Sequence, residues 1–354
     1  MKNIWLNGIM GVVVGDALGV PVEFSSRNEL KINPLVKMEG YGSYDVPEGT
    51  WSDDSSMMLA TLDSLKNGYN PADIMEKFAD WLVEGKYTPF GEAFDVGRTC
   101  LRAIMNYLKG QDITKCGGTS ELDNGNGSLM RIMPICLYMY EKQKAENLTD
   151  AEVLDKIHEV SALTHAHMRS KIACGLYFFM VRSILDAERE NSNLSGCDAN
   201  GVYEEAKRLP DVSIIDQKQL SNVNVINCEA LQEVLQKGLD EGFAYYAGQI
   251  ESADELSHYV RLRNLEEFKN LPEEKISSTG YVVATLEAAL WSLTRTENYK
   301  EAMLTAVNLG DDTDTVAAIA GGLAGLYYGY EGIPSEWLEK LQKREWVEEM
   351  SLGL

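Results

Sequence analysis

From Thr313 to Tyr328 the chain carries Ala317, Ala318, Ala320, Gly321, Gly322, Ala324 and Gly325. A helix with so many small side chains lets neighbouring backbones approach closely, so it belongs at the centre of a tightly packed helical body. The remaining pattern agrees. Ser55 to Leu65 places Met58, Leu59, Leu62 and Leu65 on one face, the spacing of an amphipathic helix. Ile74, Phe78, Trp81 and Leu82 repeat it after Pro71, a residue suited to a first helical turn. Further helical stretches run over 93–108, 129–144, 151–163, 170–187, 227–246, 281–294 and 298–308. No series of alternating Val, Ile and Thr runs bounded by two-residue turns is present. The fold class is therefore all-α. Segments 40–52, 85–92 and 110–127 are rich in Gly, Thr, Ser, Asp and Asn and read as loops. The polar stretch 189–226 reads as an insertion into one domain spanning 1–354, because neither a boundary nor a repeat emerges.

Charge narrows the function. Lys and Arg number 32 against 55 Asp and Glu, a net charge of −23. Such a surface repels phosphate backbones and anionic lipid, which argues against nucleic-acid or membrane partners. An anionic substrate needs local donors or metal ions to mask the acid. Cys100, Cys116, Cys136, Cys174, Cys197 and Cys228 form no Cys-x-x-Cys pair. They suit reduced, mostly buried thiols in a cytoplasm better than a disulfide framework or a zinc site. Asn7 and Asp16 interrupt the apolar N-terminal run, which lacks a small-residue cleavage site, so a signal peptide is disfavoured. No run reads as the roughly 20 apolar residues of a membrane span.

Two acidic clusters begin helices at opposite ends of the chain: Ser52-Asp53-Asp54 and Asp312-Thr313-Asp314-Thr315. Capping needs one Ser, Thr or Asp and perhaps one acid in the first turn. Here several carboxylates and hydroxyls crowd together, and adjacent carboxylates repel unless protonated or bridged by a cation. Hard divalent cations take such oxygen ligands, so either cluster reads as a cap or a metal site. Two clusters of like grammar favour one shared binuclear site. Gly15, Gly19 and Pro21 suggest a helix ending in a turn, which places Glu23 on a loop; Asp16 reads as a buried hydrogen-bond anchor. The run Asn126-Gly127-Ser128 ahead of a helix offers backbone N–H groups that can hold phosphate, and Arg131 either meets ligand or pairs with a carboxylate in the core. His165 and His167, two apart, would point away from each other on a helix. With no His-Glu-x-x-His present, a zinc hydrolase is disfavoured.

In this order the motifs resemble those of the ADP-ribosylglycohydrolase family. The matching residues are Gly15-Asp16-Ala17-Leu18-Gly19 with Glu23, Gly49 to Asp54, Asp95-Val96-Gly97, Asn126 to Arg131 with Pro134, Thr164-His165, Gly280-Tyr281 with Ala288 to Trp291, and Gly310 to Thr315. The resemblance implies an orthogonal multi-helix bundle around two Mg²⁺ or Mn²⁺ ions. It implies Ser52, Asp53, Asp54, Asp312, Asp314 and Thr315 as metal ligands. Relatives often have Thr where this chain has Ser52, and many have Gly where it has Asp311, whose charge is an addition. It further implies Glu23, Asp53 and Asp54 as catalytic carboxylates, and Asp95, Asn126, Gly127, Ser128 and His165 as substrate contacts.

The expected activity is metal-dependent removal of ADP-ribose from an ADP-ribosylated protein or small conjugate, by cleavage at the anomeric carbon of the distal ribose. Two competing readings exist. Isoprenoid diphosphate chemistry wants Asp-Asp-x-x-Asp, and here Asp53-Asp54 is followed by Ser55, Ser56 and Met57. A non-catalytic ADP-ribose binder on the same fold is the other, since fold does not fix function.

Overall fold

The computed structural model describes residues 3–195, 228–249 and 252–352. Among them are sixteen α-helices and no strand, with two isolated bridges joining Gly118 to His165 and Gly125 to Tyr281. One continuous hydrophobic core draws on residues from Trp5 to Met350.

The small-residue helix, Thr313–Tyr328, is buried along nearly its whole length and lies against the N-terminal helix, Ile4–Gly19. The two run antiparallel with their backbones in contact. A Cβ built on Gly11 would sit 2.2 Å from Gly321 O, one on Gly15 would sit 2.2 Å from Ala317 O, and one on Gly19 would sit 2.3 Å from the Cα of Asp314. At the far end a Cβ on Gly325 would sit 2.3 Å from Asn7 O. Glycines four apart stack on one face of a helix, so the seam needs glycine at each crossing. Its consequence for the site is direct: the end of the first helix is pinned to the start of the second.

The N-terminal run is a helix plus a 3₁₀ turn, Ile4–Gly19 and Val20–Val22. Contrary to the sequence expectation, Ile4–Val22 is long and apolar enough to cross a membrane by length and composition. Here 89% of that window is buried inside the protein, where helices surround it. A core helix apolar on every side meets the same criterion as a span.

Helix starts follow their caps. Pro71 opens Pro71–Glu84, Asn70 accepts from Ala72 N at 3.1 Å, and Gly85 ends it with φ 67°. Three expected boundaries shift. The helix expected over 93–108 begins at Arg98, because Asp95 takes φ 54° and Gly97 is the N-cap. The one expected over 129–144 begins at Met133, with 129–132 spent in turns. The helix expected over 170–187 spans Met168–Ser195 and so enters the polar stretch; residues 196–226 of that stretch lie outside the described residues.

Candidate active site

The helix Asp53–Leu65 starts with Ser52 as N-cap, its hydroxyl accepting from Asp54 N at 3.4 Å. Trp51, fully buried, fixes the approach: its indole donates to Tyr87 O at 3.1 Å and stacks on Trp346. Asp53 and Asp54 follow in the first turn, both buried. The capping role therefore falls to Ser52, and the two carboxylates remain for something else. Asp54 Oδ1 accepts from the Thr315 hydroxyl at 3.3 Å, while Asp54 Oδ2 has no partner.

At the second cluster Asp312 occupies the N-cap position of Thr313–Tyr328 yet makes no capping bond. Its carboxylate instead accepts from Asn126 Nδ2 at 2.9 Å, and the same amide donates to Thr285 Oγ1 at 3.0 Å. Gly280 makes room, since a Cβ there would sit 2.8 Å from Asp312 Oδ2. Asp314 is buried; Oδ1 accepts from Thr315 N at 2.9 Å and Oδ2 has no partner. Glu23, as expected, stands on a turn past Val22, buried, with Oε2 unpartnered. One carboxylate oxygen each from Glu23, Asp312 and Asp314 lies within 4.8 Å of the others.

The turn after Glu23 is tied to the turn before Asp312 by two left-handed residues, Phe24 at φ 62° and Asp311 at φ 61°. Phe24 N donates to Asp311 O at 2.7 Å, and Asp311 N donates to Ser25 O at 2.9 Å. Asp tolerates this region better than most residues, which accounts for the backbone at Asp311; its side chain is exposed at the cavity.

The electrostatics are lopsided. Burial pushes the Glu23 carboxyl up to about 9, with the charges of Asp95 and Asp312 adding to it. Burial and then mutual repulsion push Asp53, Asp54 and Asp314 well above the usual carboxylate range, and burial raises Asp312. Arg98 is the only Lys or Arg among the described residues that line the cavity, which also has Glu23, Asp53, Asp54, Asp95, Asp311 and Asp312. Three buried carboxylate oxygens without a donor are costly. Hard cations supply the missing charge and accept all-oxygen donor sets. The residues present fit a divalent metal.

Above this floor opens a cavity of about 660 Å³, a size suited to a small-molecule ligand. Asp95, Asn126, Gly127 and His165 line it. Gly127 is required by closeness: a Cβ would meet Cys100 Sγ at 2.8 Å and the His165 ring at 2.9 Å. His165 is not helical. It is buried, its Nδ1 pairs with Thr164 Oγ1 at 2.8 Å, and burial, then Arg131, lowers its pKa to about 3, so the ring is neutral.

Ser128 and Ser52 do not line the cavity. Ser128 is buried against Cys174 at 3.6 Å and accepts from Ser161 Oγ at 3.0 Å. Arg131, also fully buried, pairs with carbonyls rather than a carboxylate, donating to Gly127 O and to Val160 O, and lies 4.7 Å over the Phe78 ring. It braces the Gly127 turn from behind. Sequence reasoning missed Tyr44, whose hydroxyl is pushed well above its usual range by burial and then by the nearby charges of Asp95 and Glu23. Its ring packs 5.0 Å from Phe94 and 6.5 Å from Phe24. No periodicity marks a tyrosine in a Gly- and Ser-rich loop.

A family model described as ADP-ribosylglycohydrolase matches residues 5–354. The ADP-ribosylarginine hydrolase Tri1 of Serratia proteamaculans (strain 568) is 28% identical over 346 residues, covering 97% of this chain and 76% of its own. The ADP-ribosyl-[dinitrogen reductase] glycohydrolase of Rhodospirillum rubrum is 30% identical over 343 residues, covering 96% of this chain and 90% of its own. A solved structure described as an ADP-ribosylglycohydrolase-related protein complex superposes with a TM-score of 0.69 at 27% identity, covering 99% of this chain and 96% of that one. The all-helical architecture is thus shared along the chain, and the matched span includes every segment that builds the cavity.

Proposed function

Because the chain belongs to the ADP-ribosylglycohydrolase family and is accordingly a hydrolase, we propose that it removes ADP-ribose from ADP-ribosylated proteins. The bond cleaved is the glycosidic bond at the anomeric carbon of the distal ribose, and an arginine-linked conjugate is the first substrate to try, in view of the relative from Serratia. One observation carries the reading: Glu23 Oε2, Asp54 Oδ2 and Asp314 Oδ2, from three separate segments, are buried without donors. Glu23 and Asp54 line the cavity, and an Asp314 oxygen lies within 4.8 Å of Glu23 and Asp312.

Ser52, Asp53, Asp54, Asp312, Asp314 and Thr315 would hold two Mg²⁺ or Mn²⁺ ions, with Glu23 within reach of Asp312 and Asp314. Such ions, when bound, supply a clamp for ribose hydroxyls and an acidified water. The chain's own residues do the rest. Asn126 holds the Asp312 carboxylate in place through its amide. The neutral His165 ring and Asp95, which both line the cavity, are the groups that hydrogen-bond ribose hydroxyls. The turn at Gly127, braced by Arg131, receives the diphosphate. As the bond to the anomeric carbon breaks, positive charge on the sugar is stabilised by the carboxylates around it. Water adds its oxygen to that carbon, and one of its protons ends on the leaving nitrogen. Glu23 is the best placed of the carboxylates to carry that proton, because it sits on a turn whereas Asp53 and Asp54 are fixed in a helix.

We also assign the protein to the reducing cytoplasm, in keeping with the free, buried thiols of Cys100, Cys116, Cys136 and Cys174; Cys197 and the side chain of Cys228 lie outside the described residues. The test of function is a panel of defined ADP-ribosylated substrates incubated with Mg²⁺ or with chelator. Release of ADP-ribose only with Mg²⁺ supports the reading. Tight ADP-ribose binding without release from any substrate would favour the non-catalytic binder instead.

A further inference from the structure

Asp16 is a fully buried carboxylate that does not line the cavity, yet it accepts four contacts from the start of the Asp53–Leu65 helix. Ser52 N reaches Oδ1 at 2.9 Å and Oδ2 at 3.2 Å, while Ser55 N and Ser55 Oγ reach Oδ2 at 3.0 and 2.5 Å. A helix start is ordinarily satisfied by its own N-cap residue. Here Ser52 provides only a 3.4 Å contact, and the firmer acceptor comes from another helix. The flanking residues of Asp16 face the second cluster: Gly15 abuts Ala317, and Gly19 abuts Asp314 through backbone atoms. Thr313 Oγ1 adds a bond to Gly19 O at 2.8 Å. One turn of the first helix therefore grips both helix starts, one through a carboxylate and the other through glycine contacts.

We propose that Asp16 is a positioning residue for the metal site: it fixes the helix start that bears Asp53 and Asp54 in register with the one that bears Asp312 and Asp314, and so sets cation affinity. The inference rests on the reading that these two clusters hold divalent cations. Partners that orient ligands from behind commonly change metal affinity by about 10–100-fold when removed. A side chain that merely fills space or stabilises the fold would change thermal stability and leave the affinity of the folded protein alone.

The test is titration of Mn²⁺ into the full chain by calorimetry, with folding checked by circular dichroism. Asp16→Asn keeps the shape but must turn an NH₂ toward N–H or O–H donors. It should remain helical and raise the Mn²⁺ Kd by about 10–100-fold, with catalysis regained as Mn²⁺ is increased. Ser55→Ala removes one donor and leaves both backbone donors, Ser52 N and Ser55 N; it should shift the Kd in the same direction by less. It carries the test if Asp16→Asn does not fold. Folded variants with the wild-type Mn²⁺ Kd would overturn the positioning role while leaving the metal site intact. Absence of Mn²⁺ binding by the wild-type chain would overturn both.

Discussion

Thr315 donates its hydroxyl to Asp54 Oδ1 across 3.3 Å, a contact between residues 261 positions apart. It joins two helix starts that each bring buried acid to the same place. Neither needs that much acid to cap itself: Ser52 caps the first, and Asp312 makes no capping bond at the second. The contact makes a paired function for the clusters a matter of geometry.

Asp54→Asn and Asp312→Asn should each weaken Mg²⁺ or Mn²⁺ binding by more than the ~10–100-fold typical of a partner behind a ligand. Turnover should be lost while far-ultraviolet circular dichroism is kept, because Asn tolerates a helix N-terminus as well as Asp does. Calorimetric titration and an ADP-ribose release assay check both halves. Full activity in either variant would reduce the clusters to caps.

Glu23→Gln separates binding from chemistry. If Glu23 carries the proton, ADP-ribose affinity should stay close to wild type while kcat falls by on the order of 10²–10⁴-fold. If it serves chiefly as a ligand, metal affinity falls and excess Mg²⁺ restores part of the rate. Near-normal kinetics at every Mg²⁺ concentration would remove Glu23 from the site.

Glu287 predicts a pH dependence away from the site. Burial pushes its carboxyl from 4.5 up to about 7, against the pull of Arg261. A folded value above the unfolded one means that its contribution is intact below about 4.5 and is lost as pH rises through about 7. Glu287→Gln should therefore be more stable than wild type at pH 8, by on the order of 1–3 kcal/mol. The gap should close toward pH 4.5. Thermal unfolding of both proteins across this range decides it; a gap that widens on acidification would refute it.

Gly15→Ala should destabilise the protein by about 2–3 kcal/mol, because the new methyl would meet the Ala317 carbonyl, a backbone atom that cannot rotate away. Gly91, with nothing within 4 Å but φ 83°, is a control for backbone strain alone. Chemical denaturation of both alanine variants distinguishes lost packing from lost conformational freedom.

What could be read from the chain was whatever local chemistry made conspicuous. Asp53-Asp54 and Asp312/Asp314 stand out because adjacent carboxylates repel, and Gly19 with Pro21 announces the turn that carries Glu23. The small-residue helix was legible as a centre, but its partner was not, since the glycine seam at Gly11, Gly15 and Gly19 depends on which helix lies opposite. The helix start at Arg98 was misplaced because a left-handed Asp95 leaves no mark in hydrophobic spacing. Ser128 looked like a ligand contact by its place in the motif; only packing turns its hydroxyl toward Ser161 and Cys174. Tyr44 has no local periodicity to mark it, and Asp16 reads from the sequence as a buried anchor but without its partners, Ser52 and Ser55, which lie 36 and 39 positions away.

The central claim is that the buried carboxylates around Asp54 and Asp312 form a divalent-metal centre. Anomalous diffraction from crystals grown with Mn²⁺ tests it most directly. The account predicts two peaks between the 52–54 and 312–315 segments, about 3.5–4 Å apart as in other two-metal sites. No peak between those segments at saturating Mn²⁺, or Mn²⁺ bound only elsewhere on the protein, would contradict it.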